Sequence, residues 1–448
     1  MSERHPGSQP DVEASGSPIG AAVLGAIIGG LAGGLVVVAA TLVLKAGIDF
    51  VTSQRLLLII LLPALGLTVA ALVLHGIGTA QAPLPDGQEG LVPTWRTFPH
   101  EAIRADISAD VVDTAGAEER FPWRLAPLRT AAILATVGLG NAMGTEAPAA
   151  YLGVATGACV GDRGKRWRRL LRPAALAGGA AGVGALMGIA LVGTAFMLEL
   201  GSRKRAELSA DRVIPAVIGG FIGWGIDAFF GLSLIRLVVP RDAPGSFLHA
   251  VLTAVLIGAG SGAISGLAGL AVYQAKKWHA SPLVRLVCGV AAVAAIALLV
   301  SRIAAPSVAA GPGTGAILWA ESVDPRPLSL LVVCLLRAAA TVAAVAAGGC
   351  GGVFVPFLAV GDLAGRVFAP GLGVSHDLAG ASGAAGGIAG GYRLPVTAAF
   401  MVLGVGGPPR ASLTCLGAIV FAWLASLGVE VVLVRLSELR AGHRAAAH

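Results

Sequence analysis

The run at residues 17–44, SPIGAAVLGAIIGGLAGGLVVVAATLVL, contains no charged side chain. A helix of about 20 apolar residues is long enough to cross the hydrocarbon core of a bilayer. Of the 448 residues, 56% are hydrophobic and 13% are charged, whereas soluble domains contain about 25% charged residues. The chain is therefore predicted to be an all-α polytopic membrane protein, and a soluble fold is excluded.

Several of the apolar segments are too long for one crossing of the membrane and too short for two. Such lengths are typical of tilted or discontinuous helices. The segments are residues 19–45, 55–80, 126–160, 173–200, 212–239, 246–273, 283–304, 327–349, 353–369, 378–403 and 411–436.

We expect these segments to form two membrane repeats. We expect a disordered polar tail at 1–18, a first repeat at 19–239 with a polar insert at 81–125, a second repeat at 240–436 and a short tail at 437–448. The insert is predicted to lie at the membrane face and to contain a short surface helix around 99–114.

The net charge of +7 is carried by loops between the apolar segments. Lysine- and arginine-rich loops of membrane proteins lie on the cytoplasmic side. We therefore expect an integral protein of the cell (plasma or inner) membrane and no nucleic-acid partner. The basic clusters are Arg163, Lys165, Arg166, Arg168, Arg169 and Arg172 in one loop, and Arg203, Lys204, Arg205 and Arg212 in another.

The sequence contains no motif for catalysis or for a metal. Its five cysteines are scattered without CxxC spacing, which argues against a disulfide framework and a zinc site. The HExxH, GxSxG and P-loop motifs are absent from it. We therefore expect no enzyme activity, no cofactor and no metal.

Two glycine-rich motifs stand at comparable places in the two halves, GTEAPAAYLGVATG at 144–157 and GGVFVPFLAVGDLAG at 351–365. In each, a loop and a proline precede an apolar helix, and proline is well tolerated near a helix start. Corresponding interruptions of this kind indicate a substrate site between inverted repeats. Each helix start would present unpaired N–H groups and the positive end of its dipole, which favour an anion.

Glu146 comes directly before the helix of the first motif. An ionised carboxylate at this position could occupy the anion site itself. Its protonation, or a competing anion, would then open the path. The alternative is an ordinary acidic residue at a helix N-terminus that faces a loop. The residues alone leave both interpretations open.

Both motifs resemble those of the CLC chloride channel and transporter family. GGVFVP at 351–356 resembles its GGxFxP motif, and GTEAP at 144–148 resembles its GxEGP motif. The stretches WRLAPLRTAAILATVGLGNAMGTEAP, GGYRLPVTAAFMVL and LTCLGAIVFAWLA are similar to further segments of the family. The resemblance extends over about residues 19–436.

The resemblance implies a fold of two inverted repeats built from tilted and discontinuous helices. It also implies a homodimer with a separate pore in each subunit. Glu146 would be the gating glutamate. The backbone amides of Ala147, Gly352, Val353 and Phe354 would bind the anion.

Two features of the family are changed or missing, and both concern the inner gate. The GSGxP loop has its nearest counterpart in HGIGTA at 75–80, where Ile77 takes the place of the serine and Thr79 could supply a hydroxyl. The pore tyrosine has no counterpart in GVGGPPRASLTCLG, before the last helix. Ile77 and Thr79 are the candidates for an inner gate.

The proton-carrying glutamate of the family's exchangers falls in GTAFMLELGSRKR at 193–205. The alignment places Leu200 at that position and Glu199 beside it. Leucine there would imply a channel or an uncoupled transporter. If Glu199 belongs to the proton pathway, coupling to protons would be preserved.

Four further ionisable residues lie in apolar surroundings, namely Asp227, Arg337, Asp362 and Arg366. Charged residues in membrane segments are rare and have either a functional role or a partner that compensates them. Asp362 and Arg366 are four residues apart, so an ion pair on one helix face is predicted.

The sequence thus predicts transmembrane transport of chloride or a similar small anion, gated by Glu146, as a channel or as an anion/proton antiporter. The expected partners are the anion, protons if transport is coupled, the lipid bilayer and a second copy of the chain. Two alternatives stay open. One is a family member selective for another anion such as fluoride or nitrate, and the other is an unrelated secondary transporter with inverted repeats.

Overall fold

The protein is a bundle of apolar helices, as a computed structural model shows. It describes residues 19–77, 79–83, 89–93, 107–116, 121, 123–162, 170–231 and 237–446. Within these ranges, 8 helices are long and apolar enough to cross a membrane. The predicted all-α polytopic membrane fold is thereby confirmed.

Eight α-helices of the described chain precede residue 239. The second of them continues as a π-helical segment, Leu72–Ile77. The helices are α1 Ile19–Thr52, α2 Leu56–Ala71, α3 Ile107–Gly116, α4 Ala126–Gly138, α5 Glu146–Gly161, α6 Leu171–Met187, α7 Ala190–Ser202 and α8 Ala210–Phe230.

Eight more α-helices follow in the described part of the second half. A π-helical segment, Ile388–Tyr392, continues the sixth of these. The helices are α9 Phe247–Lys276, α10 Pro282–Val300, α11 Thr314–Val323, α12 Pro327–Ala346, α13 Phe354–Leu372, α14 His376–Gly387, α15 Pro395–Val405 and α16 Pro409–Ala446. The division into repeats at 19–239 and 240–436 stays a prediction.

The two chain ends differ in what the structure describes. The predicted tail at 1–18 lies outside the described residues. Helix α16 continues through 437–446, most of the segment assigned to a C-terminal tail. The sequence there, SELRAGHRAA, is rich in alanine, arginine, leucine and glutamate, which are strong helix formers.

The polar insert contains a β-hairpin that the sequence analysis did not predict. Strand β1, Thr79–Pro83, pairs antiparallel with β2, Glu89–Pro93. Thr79 lies opposite Pro93, and Pro83 lies opposite Glu89. The strands TAQAP and EGLVP are only five residues long, too short to show a clear alternation of apolar and polar residues.

Helix α3, Ile107–Gly116, is the insert's helix and is partly buried. The part of the predicted helix before residue 107 lies outside the described residues. Ile107, Val111 and Ala115 are at most 3% exposed. These positions recur every four residues and therefore form one stripe along the helix. Helix α3 packs against α5 and α7, so its buried stripe attaches the insert to the membrane body.

Three of the apolar segments are each broken into two helices, as their lengths predicted, and one of them is 378–403, which divides into α14 and α15. The segment 126–160 divides into α4 and α5, which are separated by residues 139–145. The segment 173–200 divides into α6 and α7 after Gly188, whose φ of +65° ends α6. A left-handed residue at this position favours glycine because it has no Cβ. The prediction of discontinuous helices is confirmed.

Helices α1, α5 and α6 touch each other through glycine. A Cβ atom added to Gly178 of α6 would lie 2.2 Å from the Gly153 carbonyl oxygen of α5. A Cβ atom added to Gly33 of α1 would lie 2.8 Å from the Gly178 Cα atom. Close backbone contact of this kind stabilises membrane helices, because apolar side chains gain little by leaving lipid.

The predicted ion pair within α13 is present. The Arg366 Nε atom donates to Asp362 Oδ1 at 2.7 Å, and both side chains are buried. Arg366 also bonds Glu321 of α11 and Asp377 of α14, both more exposed. This network attaches the end of α13 to its neighbours. Arg337 instead donates to the carbonyl oxygens of the loop before α11, at Ala309 and Gly311.

Replacement of Gly178 by alanine tests the glycine contacts. We expect Gly178→Ala to lower the free energy of unfolding by about 1–3 kcal/mol, since the added methyl group overpacks the helix interface. The matched control is Gly225→Ala in α8, where an added Cβ meets nothing within 4 Å. Thermal unfolding in detergent compares the two variants. Equal melting temperatures would contradict the packing argument.

Candidate anion site

The two glycine-rich loops meet in the centre of the protein. The Gly144 N–H donates to the Gly352 carbonyl at 2.7 Å, and the Gly352 N–H donates to the Gly144 carbonyl at 2.8 Å. The two residues form an isolated antiparallel bridge. The structure therefore brings together the motifs that the sequence analysis placed at comparable points in the two halves.

Each loop ends at the start of a buried helix. Helix α5 begins at Glu146, and α13 begins at Phe354. The first N–H groups of a helix have no partner within the helix, and the helix dipole makes this end positive. The Thr145 side chain makes no capping hydrogen bond, and Val353, the N-cap residue of α13, has no polar side-chain atom that could make one. These starts can therefore bind a negatively charged group.

The Glu146 side chain reaches from the first helix to the start of the second. Its Oε1 atom accepts a hydrogen bond of 2.5 Å from the Phe354 N–H. Glu146 is 0% exposed. It is therefore a buried carboxylate bound to the opposite helix, rather than an acidic residue that faces a surface loop.

The bridge glycines make room for this carboxylate. A Cβ atom added to Gly352 would lie 2.1 Å from Glu146 Oε1, and one added to Gly144 would lie 2.2 Å from Oε2. No side chain fits at either distance. Glycine at both positions is therefore required for Glu146 to lie where it does.

The second carboxylate oxygen is less well satisfied. Oε2 of Glu146 is buried and makes no hydrogen bond with any residue that the structure describes. A buried polar atom without a partner is uncommon and is costly in a region of low dielectric constant. The carboxylate is thus held firmly at one oxygen and weakly at the other.

The four backbone amides predicted to bind an anion lie around this carboxylate. The Phe354 amide donates to Glu146, and the Gly352 amide donates to Gly144. Val353 is the N-cap residue of α13, and Ala147 lies in the first turn of α5. Their part in anion binding stays a prediction.

An aromatic cluster, which the sequence analysis missed, adjoins the site. The Phe354 ring lies 6.2 Å from the Phe196 ring and 6.1 Å from the Tyr392 ring, measured between centroids. The Phe196 and Tyr392 rings are stacked at 6.4 Å. Rings at these distances and angles attract each other through their quadrupoles. The three residues come from α13, α7 and the π-helical segment after α14.

Glu199 holds the start of α15. Its Oε1 atom accepts from the Val396 N–H at 3.0 Å, and its Oε2 accepts from the Thr397 N–H at 2.9 Å and the Thr397 hydroxyl at 2.7 Å. The neighbouring Leu200 is 1% exposed. Glu199 is therefore anchored as a helix cap, and its part in a proton pathway stays a prediction.

The candidate inner-gate residues lie at the edge of the insert. Ile77 ends the π-helical segment after α2, and Thr79 begins β1. Their side chains lie outside the described part of the chain, so the inner-gate assignment stays a prediction. Within the described residues, no group of three or more histidine, cysteine, aspartate and glutamate residues could hold a metal ion.

The fold and the paired helix starts define a polytopic membrane protein with a candidate anion site at its centre. Residues 91–427 match the sequence model of the family described as "Voltage gated chloride channel". This match spans more than half of the chain, so the chain belongs to that family, a family of transport proteins. The resemblance to the CLC family is confirmed.

The chain is similar to curated exchange transporters of bacteria. It is 28% identical over 317 residues to the H(+)/Cl(-) exchange transporter ClcA of Salmonella paratyphi A, covering 67% of this chain and 66% of the relative. It is 24% identical over 318 residues to the H(+)/Cl(-) exchange transporter ClcA of Yersinia pestis, and this match covers 67% of this chain and 65% of the relative. The chain thus spans about two thirds of the length of the relatives it matches.

Solved structures share the fold. A CLC-type fluoride/proton antiporter matches with a TM-score of 0.69 at 22% identity and covers 91% of this chain and 95% of its own. A slow cyanobacterial Cl-/H+ antiporter matches with a TM-score of 0.69 at 16% identity, and the match covers 93% of this chain and 98% of the antiporter. A eukaryotic CLC transporter matches with a TM-score of 0.64 at 15% identity, and the match covers 92% of this chain and 72% of the transporter. The predicted CLC-like arrangement of helices is confirmed.

A double substitution tests the fit between Gly352 and Glu146. We expect Gly352→Ala to lower the free energy of unfolding by about 1–3 kcal/mol, because the new methyl group overlaps the carboxylate. In a protein that also carries Glu146→Ala, Gly352→Ala should lower the free energy of unfolding by less, because the carboxylate that the methyl group overlaps is absent. Non-additivity of this kind is the sign of direct contact.

The measurement is thermal unfolding in detergent, with Gly371→Ala as the control. An added Cβ at Gly371 in α13 meets nothing within 4 Å. If the cost of Gly352→Ala is the same with and without Glu146, the two residues are not coupled and the geometry of the site is wrong.

Proposed function

We propose that this protein transports a small anion, chloride in the first instance, across the cell membrane through the site at the starts of α5 and α13. Glu146 is the gate of this site. The observation that supports the proposal most directly is the hydrogen bond from the Phe354 N–H to the buried Glu146 carboxylate. A helix N-terminus that binds a carboxylate can bind a halide ion with the same donors.

Backbone amides suit a transported ion better than a fixed cation does. An ion must bind strongly enough to enter a pathway and weakly enough to leave it. The Phe354 amide and the helix dipole supply partial positive charge at the Glu146 carboxylate. The carboxylate and the anion compete for this donor, so that each excludes the other.

Protonation is the step that opens the gate. A proton on the carboxylate removes the charge that the helix start attracts, and Oε2, which is buried and unpartnered in the described chain, is the free position for it. The neutral side chain then binds the amide more weakly than an anion does. Transport through this gate should therefore increase as the pH falls.

Exchange of the anion for protons is the second part of the proposal. The curated relatives are named H(+)/Cl(-) exchange transporters. Glu199 lies one helical turn after Phe196 in α7, and Phe196 contacts Phe354 of the site. Residues three apart lie on neighbouring parts of one helix face. Glu199 therefore stands between the site and the basic loop at 203–205, where a proton pathway would run.

The homodimer and the membrane location belong to the same proposal. Phe221 and Trp224 of α8 are 51% and 48% exposed, and Trp423 and Leu424 of α16 are 39% and 49% exposed. Large exposed apolar faces contact either lipid or another protein. A mass measurement in detergent distinguishes the two, because a dimer doubles the mass of the protein.

Ion flux from proteoliposomes tests the gate. We expect the wild type to release chloride with a counter-movement of protons, seen as a change of external pH. Glu146→Gln should still pass the anion but no longer move protons or respond to pH, because the amide cannot titrate. The control is Asp211→Asn in the first turn of α8, an exposed acidic residue at another helix start.

Two outcomes would contradict the proposal. Proton movement that survives Glu146→Gln would remove Glu146 from the gate. A wild type that moves no chloride would exclude chloride transport. The same vesicles loaded with fluoride then test the anion of the antiporter that shares the fold, and failure of both ions would overturn the function.

The proton pathway has its own test. We expect Glu199→Gln to retain anion flux and to lose proton movement, since the amide keeps one hydrogen-bond acceptor for α15 and carries no proton. Loss of two charge-assisted hydrogen bonds should also lower the stability by about 1–3 kcal/mol. Proton movement at the wild-type rate would show that Glu199 is only a cap. Glu430→Gln, at an exposed ion pair with Arg393, is the control.

A further inference from the structure

The turn that carries Tyr392 lies on the opposite side of the protein from the end of α13. Helix α9 spans both regions. His249 near its start contacts the Leu372 carbonyl at 2.8 Å, and Gly269 adjoins the Gly391 carbonyl, 2.5 Å from an added Cβ. The twenty residues between them correspond to about 30 Å along a helix.

The basic loop after α7 lies on the Tyr392 side. Arg203, an exposed residue of this loop, donates a hydrogen bond to the Tyr392 carbonyl. Its guanidinium carbon also lies 5.1 Å from the centre of the Tyr392 ring. Arginine over an aromatic face is attracted by the ring quadrupole. The side chain thus covers the outer face of the tyrosine.

A continuous series of contacts leads from this arginine to the anion site. Arg203 covers Tyr392, the Tyr392 ring contacts Phe354, and the Phe354 amide binds Glu146. Phe196 completes the cluster beside both rings. Tyr392 is 8% exposed, and the two phenylalanines are 0% exposed. The three rings therefore form one buried cluster that connects Arg203 with the residue that binds Glu146.

We propose that Phe196, Phe354 and Tyr392 form the closed barrier between the anion site and this basic surface, and that Arg203 is the first residue to bind an anion arriving there. This inference rests on the proposed function. Arg203 exchanges its contact with the ring for a contact with the anion, and this exchange shifts the tyrosine.

The chemistry of these residues fits the two roles. A loop with several positive charges raises the local concentration of anions, and a guanidinium presents a fork of N–H donors to them. Aromatic rings block water and ions, and their positive edges tolerate a passing anion better than aliphatic groups do. Tyr392 ends a π-helical turn, Ile388–Tyr392, a form that occurs mostly as single turns and frequently at functional sites.

Substitution of the tyrosine tests the barrier. We expect Tyr392→Ala to increase passive anion flux and to reduce the number of protons moved per anion, because the path no longer closes. Tyr392→Phe keeps the ring and should behave like the wild type. The matched control is Tyr273→Ala on α9, where Lys277 lies 4.0 Å from the ring centre but the pair is exposed at the surface.

Substitution of the arginine separates its charge from its hydrogen bond. Arg203→Gln removes the charge and should raise the half-saturating anion concentration about fivefold, the effect of one unit charge beside an anion in water. Arg203→Lys should stay near the wild-type value. Lys277→Gln, at the exposed pair with Tyr273, should leave the half-saturating anion concentration unchanged.

A chemical modification then restores the charge. Arg203→Cys treated with a cationic methanethiosulfonate should recover anion affinity, and an anionic reagent should weaken it further. The wild type treated with both reagents controls for the exposed Cys288. If Arg203 contributed only to folding, the cationic and the anionic reagent would have the same effect on anion affinity.

The outcomes are separable from those of the proposed function. If the wild type transports and Glu146→Gln is uncoupled, but all Arg203 variants share one half-saturating concentration, the anion role of Arg203 is refuted. Flux through Tyr392→Ala no greater than through Tyr273→Ala refutes the barrier. Gel filtration shows whether Tyr392→Ala is folded. If it is not, Tyr392→Leu replaces it, because leucine keeps an apolar side chain without the ring, and its anion flux is compared with that of Tyr273→Ala in the same way.

Discussion

The hydrogen bond between Glu146 and the start of α13 is the interaction on which the site depends. Backbone N–H groups at membrane depth must be satisfied, because lipid offers no partner. Each half of the chain provides such a helix start, and at the start of α13 the Phe354 N–H is satisfied by a side chain of the other half. Glu146 binds the Phe354 amide, while Gly144 and Gly352 exchange two backbone bonds. The structure of each half at this site therefore depends on hydrogen bonds from the other half.

The glycine content follows from the same constraint. At Gly144 and Gly352, any Cβ atom would occupy the space of the carboxylate. At Gly153 and Gly178, it would separate α5 from α6, and the start of α5 would move with it. The position of one carboxylate thus depends on contacts between backbones far from it. This is why glycine recurs through helices in which it lowers local stability.

Features of the chain with a local signal could be predicted from the sequence. The broken helices followed from segment length, the meeting of the motifs from their matching positions, and the Asp362–Arg366 pair from its spacing of four. Features that join distant residues could not be predicted. The Phe196–Tyr392 contact and the cap that Glu199 provides for α15 each span almost 200 residues. The hairpin was missed because its strands are too short to show a pattern.

The central claim is that the Glu146 carboxylate occupies the place of an anion. Calorimetric titration of the purified protein with chloride, and with fluoride, tests it most directly. The account predicts that Glu146→Ala binds the anion more tightly than the wild type, since the competing carboxylate has been removed, while Asp211→Ala binds as the wild type does. Identical binding curves for the wild type and Glu146→Ala would contradict the account, because the anion would then bind elsewhere.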